Sequence, residues 1–182
     1  MPEERIVWHC APTLAGMKTG SMFTCAFDTA QELRAFLREC NRTLGKKGLR
    51  VLPLRTDGGS ALIYVYRPNL LVRDLQNGEA ARLLAERGYD LRHPESCLCQ
   101  LIRRFHSAGA FPHEVGLFLG YPPEDVRGFI EGRPSRGCVG PWKVYGDEQA
   151  AQRLFRKYRK CTDVYCALFS KGRSIEQLAV AG

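Results

Sequence analysis

Cys10 follows His9 near the start of the chain, and His113 precedes Glu114 at the head of the stretch Phe111 to Ile130, FPHEVGLFLGYPPEDVRGFI. A nucleophilic cysteine needs a base to take its proton and a group to orient that base. Cys10 as nucleophile, His113 as base and Glu114 as the orienting carboxylate would together make a thiol-dependent enzyme. His9 is the poorer base, because neighbouring side chains of an extended segment point to opposite faces. A nearby cation such as Lys18 or Lys143 would raise the thiolate fraction. The competing reading makes Cys10 a small core residue and Glu114 a partner of the helix dipole.

Three other chemistries draw on the same residues. Thiolates and imidazoles suit zinc or an iron cluster, which makes Cys10, His113 and Cys161 metal candidates, although no C-x-x-C pair is present. Basic and aromatic side chains beside turns and strand ends (His9, Lys18, Arg67, Tyr121, Lys143 and Tyr145) would hold an anionic small molecule or cofactor. Residues 114–130 have a helix-turn-helix-like pattern: Gly116 at the crossing, Gly120 in the turn and Val126 on the second helix. That second helix carries Glu124, Asp125 and Glu131 against Arg127, a poor match to a phosphate-lined groove. A nucleic-acid- or protein-binding regulator is therefore the alternative reading. A separate basic run, Arg153, Arg156, Lys157, Arg159 and Lys160, falls on the long C-terminal helix.

The elements that must position these groups are readable from periodicity. Ser21 to Phe27 predicts a strand. Asp28 or Thr29 caps a helix to about Leu44, with Leu33, Phe36, Leu37 and Cys40 on one face. Val51 to Arg55 and Ala61 to Arg67 flank Thr-Asp-Gly-Gly-Ser, a hairpin signature. Helical patterns follow from Leu70 to about Glu131, including a helix led by Pro112 and another by Pro123. Trp142 to Tyr145 is a candidate strand, Asp147 to about Ser170 a long helix, and Ser174 to Val180 a last short strand. The expected architecture is α+β: a small, mostly antiparallel sheet with a split β-α-β-like start, a helical insertion and a long C-terminal helix. It reads as a single domain over 1–182, the helical block of about 70–131 being inserted between the sheet-forming parts.

At 182 residues and 45% hydrophobic the chain can bury a core of its own. No stretch approaches the roughly 20 apolar residues of a membrane span, and the eight cysteines suit a reducing compartment, so a cytoplasmic protein is expected. The formal charge of +8 favours anionic partners without choosing among them.

Four blocks occur in order: His9-Cys-Ala-Pro-Thr-Leu-Ala-Gly16 with Lys18, Ile63-Tyr-Val-Tyr-Arg67-Pro68, Phe111 to Val126, and Trp142-Lys-Val-Tyr-Gly146. Together they resemble an uncharacterised family of anaerobic bacteria known only as a domain of unknown function. The resemblance implies a soluble, intracellular, single-domain protein and supplies no reaction or catalytic residue.

Overall fold

The computed structural model describes residues 2–107, 109–135 and 137–182. Its backbone divides into two compact units, one formed by the chain up to Leu70 together with Lys160–Gly182, the other by Leu71–Arg159. The inserted part thus runs to 159, further than the helical block expected over 70–131.

The first unit is the α+β part. Its strands β1 (Gly20–Ala26), β2 (Arg50–Asp57) and β3 (Ser60–Tyr66) form one antiparallel sheet in the order β1-β3-β2. Phe23 stands opposite Ile63, and Val51 opposite Val65. Gly58 and Gly59, at φ 44° and 99°, make the tight turn between β2 and β3 that only a positive φ at both positions allows. On β1, Phe23 and Cys25 are buried while Thr24 and Ala26 face solvent, the alternation of a sheet covered on one side.

Helix α1 (Pro2–Leu14), helix α2 (Ala30–Leu44) and the short helix α9 (Ile175–Leu178) belong to the same unit. Ile6, Val7, Cys10 and Leu14 of α1, Cys40 and Leu44 of α2, and Ile175 and Leu178 of α9 share a core with Phe23, Ile63 and Val65 of the sheet. Thr29 caps α2 by accepting from Glu32 N at 3.1 Å, and Glu32 Oε2 reaches back past the cap to accept from Asp28 N at 2.9 Å.

Three local expectations are corrected. Residues 2–14 are helical, not the extended segment assumed for His9 and Cys10. Pro12 falls in the last turn, where its missing N–H forgoes a single bond, and Gly16, at φ 74°, closes the helix as Met17 N donates to Pro12 O at 2.8 Å and Gly16 N to Thr13 O at 3.1 Å. The segment after Arg173 is the helix α9, not a strand; Ser174 and Gln177 cap its start. Trp142 to Tyr145 is an irregular loop with one bridge, Val139 to Lys143, rather than a strand.

The inserted unit holds α4 (Gly78–Glu86), α5 (Pro94–His106), the four-residue α6 (Val115–Phe118), α7 (Pro123–Ile130) and the start of α8 (Glu148–Ser170). The chain crosses between the units within α3 (Pro68–Leu75) and within α8. Leu83, Leu84, Leu98, Leu101, Leu117 and Phe118 are buried in the inserted unit, and Trp142, Val144, Ala151, Phe155 and Tyr158 form a second cluster there. The Pro112-led turn is shorter than expected, since Val115, Gly116 and Leu117 donate to carbonyls three residues back. Among the described residues no helix is long and apolar enough to cross a membrane.

Candidate functional site

In the first unit, Cys10 is fully buried on α1. Burial pushes its thiol up to about 12 against the opposing pull of Lys18, so it stays protonated at neutral pH. His9 is exposed and stacks on Phe23 at 5.5 Å; desolvation and then Arg5 hold its pKa below the usual histidine value. Desolvation also pushes Lys18 down to about 8.

Cys40, like Cys10, is pushed up to about 12 with burial as the first cause. Both thiols keep their protons in the fold while an unfolded chain releases them near 9. The stability they contribute is complete below pH 9 and lost as pH rises towards 12. Lys18 acts in the other direction between about 8 and 10.5, where the unfolded chain holds the extra proton. The urea midpoint is therefore expected to fall above pH 9 and to fall faster above 10.5. A Cys10→Ala, Cys40→Ala variant should show a shallower decline, and an equal decline would remove this account.

Arg67, expected to face a ligand, is 4% exposed and faces the protein's own backbone. Its guanidinium donates to Thr13 O at 2.7 Å, Leu14 O at 2.7 Å, Val180 O at 2.8 Å and Lys47 O at 3.5 Å. The first two are carbonyls at the end of α1, which have no partner inside the helix, and the cation meets the negative end of the helix dipole there. The first two resemblance blocks are joined by this grip.

In the inserted unit His113 is exposed between the rings of Phe111 at 5.4 Å and Phe129 at 4.9 Å. Glu114 does not orient it. The Glu114 carboxylate, 1% exposed, accepts from Tyr89 Oη at 2.9 Å and Arg104 Nη1 at 3.2 Å through Oε1. Its Oε2 makes no hydrogen bond among the described residues, and Arg87 Nη1 stands 3.8 Å away. Arg104 also donates to the Arg87 carbonyl and lies 4.7 Å from the centre of the Tyr89 ring.

Beside this carboxylate a cleft of about 350 Å³ is lined by Leu83, Glu86, Arg87, Arg104, Arg127, Ile130 and Glu131. Arg127 bonds Glu86 at 3.0 and 3.2 Å and pairs with Glu131 at 3.5 Å, so both rim carboxylates are engaged by one cation. Arg87 makes no side-chain hydrogen bond among the described residues. Its side chain and that of Arg104 are 35% and 38% exposed. None of these arginines stands out in the sequence, because Arg87, Arg104 and Arg127 are far apart along the chain and share no motif.

Asp125, a helix-start carboxylate by its sequence position, is buried at 3% exposure. It accepts from Trp142 Nε1 at 2.8 Å, Tyr145 N at 2.7 Å and Gly146 N at 2.8 Å, joining the last two resemblance blocks. Tyr121 stacks on Trp142 at 4.5 Å and donates from its hydroxyl to Pro141 O at 3.2 Å; burial pushes that hydroxyl up to about 12. Lys143 is exposed, with its ammonium 5.7 Å from the Tyr145 ring centre.

With all four blocks placed, the match along the chain takes on a structural meaning: residues 6–179 fit the family model described as "Protein of unknown function (DUF3793)". The chain belongs to the DUF3793 family. No curated protein and no solved structure matches it. In this DUF3793 chain the two interactions that join the blocks in pairs are internal latches, Arg67 on carbonyls and Asp125 on N–H donors. Among its described residues no three His, Cys, Asp or Glu side chains come together to hold a metal. The 114–130 pair does cross closely, since a Cβ on Gly116 would lie 2.8 Å from Val126 Cγ2. The face of α7 beyond that crossing presents Glu124, Phe129 and an Arg127 already paired with carboxylates.

Proposed function

We propose that the inserted unit binds a small, multiply charged anion, a phosphate or carboxylate compound, in the cleft between Arg87, Arg104 and Arg127. The observation that carries this reading is a pair of half-buried guanidiniums, Arg87 and Arg104, that share one buried carboxylate, Glu114, and face a cleft of small-molecule size. Arg127 pairs with Glu86 and Glu131, and Arg133 also pairs with Glu131 at 2.6 Å, so Arg87, Arg104, Arg127 and Arg133 stand against Glu86, Glu114 and Glu131 with one positive charge in excess. A guanidinium offers five donors in a planar fork suited to phosphate and carboxylate oxygens. Glu114 anchors Arg104 from behind, which limits the entropy a ligand would have to remove.

The site is set here rather than around Cys10 and His113 because the Cys10 thiol is buried and protonated, and because Glu114 is engaged by arginines and a tyrosine. The same reading keeps the protein in a reducing cytoplasm, which its eight free cysteines support, and fits the anaerobic bacterial source that the sequence resemblance implies.

Calorimetric titration at low salt with inorganic phosphate, pyrophosphate and citrate tests the proposal. At least one probe is expected to bind, and Arg87→Met to weaken it by roughly tenfold or more while leaving the melting temperature unchanged. Arg103→Met, on the exposed side of α5, should leave binding intact. No heat from any of the three at millimolar concentration, or binding indifferent to Arg87→Met, would overturn it.

A further inference from the structure

Helix α8 carries Arg153, Arg156, Lys157 and Lys160 at the spacing i, i+3, i+4, i+7, which puts all four on one face within an arc of about 100°. All four are exposed. Among the described residues none of them makes an ion pair or a side-chain hydrogen bond, whereas Arg42, Arg73, Arg92, Arg127 and Arg133 each pair with a carboxylate. Arg159 adds a fifth exposed charge beside the stripe, and the nearest carboxylate further along the helix, Asp163, lies at its edge. The opposite side of the helix is committed to packing through Ala151, Phe155 and Tyr158.

We infer that this face is a docking surface for the phosphate backbone of nucleic acid, read without regard to sequence. Charge complementarity selects a polyanion, since a solvated face in a folded chain normally mixes both signs and this one does not. The stripe is about 10 Å long, and a duplex presents about six charges over that length of its axis. Within 153–160 no large apolar side chain is exposed, and further along this face only Val164 and Leu168 are, short of the broad apolar face that an interfacial helix buries. Arginine and lysine reach guanine edges as well as phosphates, but the four stripe positions carry no Asn, Gln, Asp or Glu to read the other bases, so the contact is assigned to phosphates. The surface is separate from the arginine cleft, which involves residues of α4, α5 and α7 and the turn after α4.

The experiment is fluorescence anisotropy with labelled duplex DNA and duplex RNA of one arbitrary sequence, repeated with anionic phospholipid vesicles in place of the duplex. Binding to one or both duplexes is expected, weakening by roughly 100-fold between about 50 and 200 mM salt, the dependence of about four phosphate contacts. Arg153→Gln with Lys157→Gln should roughly halve the slope of log K against log salt, while Arg34→Gln with Arg38→Gln, which removes equal charge from α2, should leave it unchanged. Arg87→Met should also leave it unchanged, which separates this surface from the cleft. Absence of duplex binding at the lower salt, equal effects from the two double variants, or binding to vesicles alone would overturn the assignment.

Discussion

Replacing Arg67 with methionine is expected to destabilise the protein by about 3 kcal/mol or more. The guanidinium is almost wholly buried and makes three charge-assisted hydrogen bonds of 2.7 to 2.8 Å to Thr13, Leu14 and Val180 carbonyls. Methionine fills much of the volume, leaves the Val180 carbonyl without a donor, and leaves Thr13 O and Leu14 O with only the backbone bonds they receive from Gly16 N and Val180 N. It also removes the cation whose own burial is unfavourable: desolvation holds the Arg67 pKa below its ordinary value, which is why the expected figure is not larger. Arg67→Lys keeps the charge but offers a single nitrogen where three carbonyls converge from two parts of the chain, Thr13–Leu14 and Val180, and it should recover less than half of the loss. Urea denaturation followed by circular dichroism measures both. A methionine variant within about 1 kcal/mol of the parent would show that the carbonyls find other partners, and the latch would lose its standing.

The second large effect belongs to Asp125. Asp125→Ala strands the indole N–H of Trp142 and the backbone N–H groups of Tyr145 and Gly146, at an expected cost of about 3 kcal/mol. Asp125→Asn separates the contributions. Its amide oxygen can still accept from Tyr145 and Gly146, but its NH2 group then faces the Trp142 N–H, so about half of the loss should remain. Trp142 is one of only two tryptophans, and the other, Trp8, is exposed at 63%. In a Trp8→Phe background the emission of Trp142 should shift to the red in Asp125→Ala as the loop opens to water. An unshifted spectrum with unchanged stability would mean that Tyr121, stacked on Trp142, and Phe155, edge-on to it at 4.6 Å, hold the loop without the carboxylate.

The sequence discloses what local rules control. Helix α2 announces itself by Thr29 and by the stripe from Leu33 to Cys40, the β2–β3 hairpin by its paired glycines, and α8 by the spacing of Ala151, Phe155 and Tyr158. Helix α1 is hidden because Pro12 and Gly16 look like breakers until the chain is seen to use them in the last turn and at the cap. Trp142 to Tyr145 imitates a strand by alternation, with Trp142 and Val144 buried and Lys143 exposed, but a loop tied to Asp125 gives the same pattern without a partner strand. The site is less legible than the fold. Arg67 reaches carbonyls 53 and 113 residues away, and Glu114 gathers Tyr89 and Arg104 from 25 and 10 residues upstream. Such pairings leave no periodic trace, and the residues suited to thiol chemistry stand out by type alone, which says nothing about whether a thiol meets water.

The core of the first unit is closed by residues from both sides of the insertion: Ile175, Leu178 and Ala179 pack with the sheet and α1, and Arg67 grips Val180. During synthesis the strands and α1 leave the ribosome some hundred residues before these closing pieces, while every residue of the segment Leu71–Arg159 has already emerged by then. Maturation therefore proceeds from the inside of the sequence outwards, and the nascent core of sheet, α1 and α2 lacks Ile175, Leu178 and Ala179 for some hundred residues of translation, the interval in which a chaperone would find the gap.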